Sequence, residues 1–146
     1  MQGTNFRLHN VTGMGSDGGR RQIGEGGEHI ACLFLARKGY KILERNYRRK
    51  CGEIDIVAEK DGIVRFVEVK AVTREASRGF SREMDYRPEE LVHKTKLRKV
   101  ARTALLYMEE RRDRREYQID VVGVIIYERN RIAKCRIFEQ ALEENL

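Results

Sequence analysis

At 146 residues the chain is one domain by length and long enough to bury a core. Thirty Lys and Arg against 23 Asp and Glu give a formal net charge of +7 and a pI near 9.5, which points to a polyanionic partner, nucleic acid being the commonest. Cys32, Cys51 and Cys135 lie far apart without Cys-x-x-Cys spacing, which argues against a zinc set or a disulfide framework; no apolar run approaches a membrane span of about 18 residues and no apolar signal core opens the chain, so a cytoplasmic protein with no membrane partner is expected.

Residues 1–23 scatter Gly3, Gly13, Gly15, Gly18 and Gly19 among polar side chains. A flexible glycine-rich arm is expected there, and a single domain over 24–146. From about Glu25 to Lys38, Ile30, Ala31, Phe34 and Leu35 recur at helical spacing, and Gly39 stands where a C-cap glycine belongs. Helical steps back from Leu35 through Cys32 and Ala31 reach Glu28, which puts its carboxylate on the inward stripe. Two readings fit: a first-turn acid favoured by the helix dipole, or a third carboxylate leaning over the strands that follow.

Tyr40 to Lys50 reads as a strand. Cys51 to Ala71 then holds two runs rich in β-branched residues, separated by Asp61-Gly62. Asp-Gly between such runs is the strongest short-range hairpin signal. With those two residues as the turn, Lys60 faces Ile63, which sets Asp55 opposite Glu68 and Glu53 opposite Lys70. Alternation then gives one face Glu53, Asp55 and Val57 against Phe66, Glu68 and Lys70. The other face carries Ile54, Ile56 and Ala58 against Arg65, Val67 and Val69. Opposed like charges roughly 5 Å apart destabilise a sheet. A hard divalent cation held by one or two carboxylates removes that repulsion and keeps positions for water and phosphate oxygens. Lys70 follows on the same face, where it could orient water or offset charge on a phosphate. The plainer reading is a solvated charged face.

Val72 to Arg87 reads as a polar loop in which Arg74, Arg78, Arg82 and Arg87 alternate with Phe80 and Tyr86, a mixture that can grip a backbone and stack a base. Pro88 suits the first position of a second helix running to about Arg111, with Glu89 and Glu90 in its first turn. Its expected stripe is Leu91, Leu97, Val100, Ala101, Ala104, Leu105 and Met108. Lys96, Lys99 and Arg102 fall on other faces, and Lys94 falls near the stripe at the N-terminal end, where it either snorkels to solvent or points at the same sheet edge as Glu28. Glu109 to Glu116 is a charged connection. Tyr117 to Tyr127 is a strand buried on both faces, in which Asp120 is either a hydrogen-bond acceptor behind the carboxylates or a cap on the strand's start. Ile132 to Phe138 suggests a last strand.

Taken together, Glu28, the Gly52-Glu53-Ile54-Asp55 run and Phe66-Val67-Glu68-Val69-Lys70 resemble the PD-(D/E)xK nuclease superfamily. Within it the chain resembles the uncharacterised bacterial YraN-like family, itself similar to archaeal Holliday-junction resolvases. Gly27-Glu28, Gly39-Tyr40, Arg45-Asn46 and Ile119-Asp120-Val121-Val122 also fit that pattern. The superfamily's proline before the first aspartate is replaced by Ile54.

The resemblance implies an α/β fold with a restriction-endonuclease-like core, a mixed sheet of about five strands flanked by helices in the order α-β-β-β-α-β-β. It implies that Asp55, Glu68 and Glu28 bind Mg²⁺ or Mn²⁺, and that Lys70 serves the hydrolytic water. Glu53 and Asp120 are expected to stand behind that site. Arg74, Arg78, Lys94, Lys96 and Lys99 are expected to contact nucleic acid, DNA before RNA. The function expected is a metal-dependent nuclease acting on DNA, including branched or damaged forms. The alternatives are a nucleic-acid-binding module without catalysis and a protein-binding scaffold, and the reading admits a homodimer.

Overall fold

A computed structural model describes residues 4–8, 20–74 and 92–142. The elements are β1 (Thr4–Arg7), α1 (Arg20–Arg37), β2 (Lys41–Arg49), β3 (Gly52–Lys60), β4 (Ile63–Arg74), α2 (Lys94–Glu110), β5 (Tyr117–Tyr127) and β6 (Ile132–Phe138). Local chemistry is most visible at the β3–β4 turn. Asp61 and Gly62 both have positive φ, 55° and 75°, the backbone of a type I′ turn, whose twist matches that of the two strands. Lys60 accordingly pairs with Ile63, and the ladder continues to Ile56 opposite Val67.

The strands form one sheet in the order β1-β6-β5-β4-β3-β2. Every neighbouring pair is antiparallel except β4 and β5. Those two run parallel because α2 returns the chain across the sheet between them. The helices cover opposite faces. α1 buries Ile30, Ala31, Phe34 and Leu35 against Ile56, Ala58, Val67, Val122, Val124 and Ile126. Its end is closed by Tyr40 N–H to the Leu35 carbonyl and Gly39 N–H to the Ala36 carbonyl, at 3.0 and 3.1 Å, the paired bonds of a Schellman cap. α2 packs on Val57, Val64, Phe66 and Val121. The class is α/β with a mixed sheet, as expected, and among the described residues no helix is long and apolar enough to cross a membrane.

The structure departs from the sequence expectations in four places. The expected sheet of about five strands gains a sixth at its edge, because Thr4–Arg7, inside the stretch expected to be a flexible arm, pairs with β6. Phe6 and Leu8 explain it: both are buried, and Phe6 meets Phe34 edge to face at 6.1 Å. α1 likewise begins at Arg20, within that same stretch.

Secondly, α2 starts at Lys94. His93 is its extended N-cap, with φ −78° and ψ 151°, so the helix does not run on from Pro88, which lies outside the described residues. Thirdly, its buried stripe is Leu97, Val100, Thr103, Ala104, Tyr107 and Met108, while Leu105 is 48% exposed. Tyr107 decides the rotation, since its ring fits edge to face between Tyr47 at 5.1 Å and Phe66 at 5.4 Å, and such pairs add about 1 kcal/mol each to simple burial. Lastly, Ile54 belongs to the α2-side core although Ile56 belongs to the α1 side. Simple alternation would place both on one face, and the exchange occurs at Asp55, beside Asn46 of β2 with its positive φ of 53°.

Candidate functional site

Past Ile56 and Val67 the β3–β4 ladder gives way to a side chain. The backbone N–H of Val69 donates to Asp55 Oδ2 at 2.8 Å, so an amide aims the carboxylate at the space between the strands. Glu68 precedes that amide and is largely buried, its side chain 12% exposed. Glu28 comes from α1, which approaches β4 closely at this point: a Cβ on Gly27 would overlap the Cβ of Ala71. A helical glycine costs about 1 kcal/mol relative to alanine. Here it lets the helix come down far enough for the next residue, Glu28, to reach Asp55.

Asp55 hydrogen-bonds with both Glu28 and Glu68. Two carboxylates cannot do this without a proton, and electrostatics supply it. Burial first, then the Asp55 charge, pushes Glu28 up to about 7, with the Arg45 charge opposing. Burial and the same Asp55 charge push Glu68 up to about 8, with Lys96 opposing. Asp55 is also raised by burial, against the Val69 N–H and the two neighbouring acids that hydrogen-bond to it. Near neutral pH, then, Glu28 and Glu68 are both held well above the usual carboxylate range and share protons with Asp55 between them. Glu68 Oε2 remains buried without a donor, and the cation nearest to Glu68 is Lys96, with Nζ 3.9 Å from Oε1. No group of three His, Cys, Asp or Glu side chains among the described residues is arranged as a ready metal cage. The acids meet in pairs, through Asp55.

Similar sequences cover most of this chain. The model of the uncharacterised protein family UPF0102 matches residues 27–124. The chain belongs to the UPF0102 family. A UPF0102 protein of Syntrophomonas wolfei is 41% identical over 107 residues, 73% of this chain and 86% of its own. One from Syntrophotalea carbinolica is 42% identical over 106 residues, 72% and 80% of the two chains. A third, from Caldicellulosiruptor saccharolyticus, is 33% identical over 123 residues and is covered over 98% of its length. The UPF0102 match opens at Gly27, the close approach that delivers Glu28, and takes in Asp55, Glu68, Lys70 and Lys96.

Other residues singled out in the sequence fall elsewhere in this UPF0102 chain. Glu53 is exposed and pairs with Arg48 at 3.5 Å, yet its charge still raises both Glu28 and Glu68. Lys70 is exposed; the lysine beside Glu68 is Lys96. Lys94, for which the sequence leaves open a course to solvent or toward the sheet edge of Glu28, is exposed at the start of α2, as is Lys99 further along. Arg74 is exposed at the end of β4, and Arg78 lies outside the described residues.

Asp120 does not join the carboxylates. It is fully buried and accepts from the Gln118 amide at 2.8 Å and the Gln140 N–H at 2.9 Å. Its counter-charge is Arg65, 3.7 Å away and itself bound to Glu139 at 2.9 Å. Sequence reasoning had placed Arg65 only on an apolar hairpin face, so this pair was missed. Arg45 enters the sequence reading only through the Arg45-Asn46 pair, with no role assigned: it pairs with Ile56 across the β2–β3 ladder, and its charge acts on Glu28.

The protonated cluster makes a testable statement about stability. Glu28 and Glu68 have folded-state pKa values above their ordinary 4.5, so the metal-free protein binds more protons than its unfolded chain between about pH 5 and 8, and stability rises as pH falls through that window. Asp55→Asn keeps an acceptor for the Val69 amide and removes the central charge. At pH 8 in chelator it should raise stability by up to about 1 kcal/mol, roughly 4 °C in melting temperature. A melting temperature below that of the parent would refute the opposed-carboxylate geometry.

Proposed function

We propose that this UPF0102 chain is a divalent-metal-dependent phosphodiesterase acting on nucleic acid, DNA in the first instance. One observation carries the reading: three half-buried acids from α1, β3 and β4 face one another through Asp55, opposed by the charges of Lys96, 3.9 Å from Glu68, and Arg45, and Glu68 Oε2 has no donor among the described residues. Sites of this kind suit Mg²⁺ or Mn²⁺, which bind through one or two carboxylates and keep several waters. Asp55 and Glu68 would hold the ion, with Glu28 turned toward it. When bound, the ion would polarise a phosphoryl oxygen and lower the pKa of a bound water.

The chain's own groups divide the remaining work. The Val69 amide orients Asp55. Lys96 balances Glu68. Lys70, exposed on β4 two residues beyond Glu68, would meet a phosphate or the attacking water. Lys94 and Lys99 on α2 and Arg74 at the end of β4 are exposed cations, in keeping with the net charge of +7.

A second reading has an observation of its own. The acids form no ready cage and Lys70 is exposed, as a nucleic-acid-binding module without catalysis would have them. One experiment separates the two. Linear, nicked and branched DNA and RNA are incubated with the full chain in Mg²⁺ or Mn²⁺, alongside calorimetric titration with Mn²⁺ in buffers of different ionisation enthalpy. The hydrolytic reading expects cleavage, and proton release on Mn²⁺ binding at pH 6.5 that fades above about pH 8, because Glu28 and Glu68 must give up their protons. Equal heats from the parent and an Asp55→Ala, Glu68→Ala double variant would remove the metal site and leave the binding module.

A further inference from the structure

A cleft of about 730 Å³ lies on the other flank of α2, between that helix, the start of β5 and the residues after β6. Its volume is in the range of small-molecule sites. Arg98 and Arg102 form its helix wall together with Leu105, and Tyr117, Gln118 and Gln140 form the opposite wall. None of the acids discussed above lines it.

The opposite wall is built rather than incidental. Asp120, fully buried, takes the Gln118 side-chain amide and the Gln140 backbone N–H on the same oxygen, and the Ala141 N–H bonds the Ile119 carbonyl at 2.8 Å. Gln118 is thereby fixed with its own carbonyl oxygen left over as an acceptor. Tyr117 stands edge to face on Phe66 at 5.6 Å and is still 39% exposed. The cleft is thus formed before any ligand arrives, which spares the ligand the entropy of ordering it.

Among the described residues the helix wall carries charge without compensation. Arg98 and Arg102 are four residues apart, so their side chains neighbour one another on α2, and like charges so placed repel. Among the described residues neither guanidinium has a hydrogen-bond or ion-pair partner. Two cations, an anchored aromatic ring and the fixed Gln118 carboxamide within one cleft match phosphates, a base face and a base edge. A ring can stack only on a base that is not already stacked in a duplex.

We propose that this cleft binds unpaired nucleotides of a nucleic-acid strand, with Arg98 and Arg102 on phosphates and a base against Tyr117. Asp120 is then a positioning residue for the cleft wall. The inference extends the nucleic-acid part of the function proposed above but does not need hydrolysis.

The test is fluorescence anisotropy of the full chain in EDTA with a short labelled oligothymidylate, the matching oligouridylate and a blunt duplex of the same length. The single strands should bind more tightly than the duplex, and the two of them together show whether deoxyribose or ribose is preferred. Tyr117→Leu should weaken single-strand binding about tenfold or more, the size of one lost base stack, while Tyr117→Phe should stay within about twofold of the parent. Arg102→Glu should also weaken it about tenfold. Lys41→Glu, the same charge change on exposed β2, should cost much less. Equal losses from Lys41→Glu and Arg102→Glu would mean diffuse attraction and overturn the site, as would a duplex bound as tightly as the single strands. Because EDTA prevents metal-dependent cleavage, failure of the hydrolytic reading leaves these outcomes unchanged. Conversely, a chain that cleaves in Mn²⁺ but binds independently of Tyr117 and Arg102 loses only the cleft.

Discussion

Lys70→Ala should cut single-turnover cleavage by about 10²- to 10³-fold, the usual effect of removing one group that meets transition-state charge, while leaving substrate affinity nearly unchanged. The separation follows from where the charges stand. Lys70 is one exposed cation two residues from Glu68, so on binding it accounts for at most about one phosphate contact, a change of about 0.9 in the slope of log K against log salt. Its larger share is expected where charge develops on the transferring phosphate, and an interaction realised only there lowers the barrier without tightening the ground state.

Lys96→Ala should behave differently. Its Nζ is 3.9 Å from Glu68 Oε1 and its charge lowers both Glu68 and Asp55. Removing it should change Mn²⁺ affinity and the pH at which the ion binds, as well as the rate. Single-turnover cleavage measured with saturating protein, beside binding at several salt concentrations, distinguishes the two lysines. Wild-type cleavage by Lys70→Ala at saturation would end its assignment to the phosphate.

The second large effect concerns stability. Arg65→Met should destabilise the protein by about 3–5 kcal/mol at pH 7, the cost of leaving a buried charge without its partner. That is on the order of 10–20 °C in melting temperature for a domain of this size. Arg65 is 6% exposed and Asp120 not at all. Asp120 already has its pKa raised by burial, with the Gln140 and Gln118 hydrogen bonds and the Arg65 charge opposing. Without Arg65 its pKa rises further. The penalty is then fully present above that folded-state value and fades as pH falls and Asp120 takes up a proton. The deficit of Arg65→Met should therefore shrink toward pH 5. Asp120→Asn keeps an acceptor for the Gln118 amide and the Gln140 N–H but carries no charge, so the Arg65→Met, Asp120→Asn double variant should recover more than half of the loss. Thermal unfolding from pH 5 to 8 checks both statements. A deficit that stays constant with pH would show that packing, not charge, is what Arg65 contributes.

Much of this architecture could be read directly from the chain, because it rests on short-range chemistry. Asp61-Gly62 selects a type I′ turn, and the turn alone pins the register that brings Asp55 and Glu68 toward each other. Gly39 ends α1 where the periodicity stops, and the strongly apolar run from Tyr117 to Tyr127 is a strand buried on both faces from Ile119 onward. Glu28 on the inward stripe of α1 follows from 3.6-residue spacing. Only tertiary structure chose between its two readings, by closing Gly27 onto Ala71.

What the sequence could not decide is which element covers which, since that depends on burial between residues distant along the chain. Four residues, Thr4–Arg7, are too few to show a period, and they become a strand because Phe6 and Leu8 find a core beside β6. The rotation of α2 was settled by Tyr107 against Tyr47 and Phe66, some 60 and 40 residues away, which exposed Leu105 and set Lys96, not Lys94, beside Glu68. Asp120 marks the limit most clearly: from sequence it is an unexplained charge in an apolar strand, and its partners Arg65 and Gln140 come together only because a buried carboxylate must find its donors wherever the fold brings them.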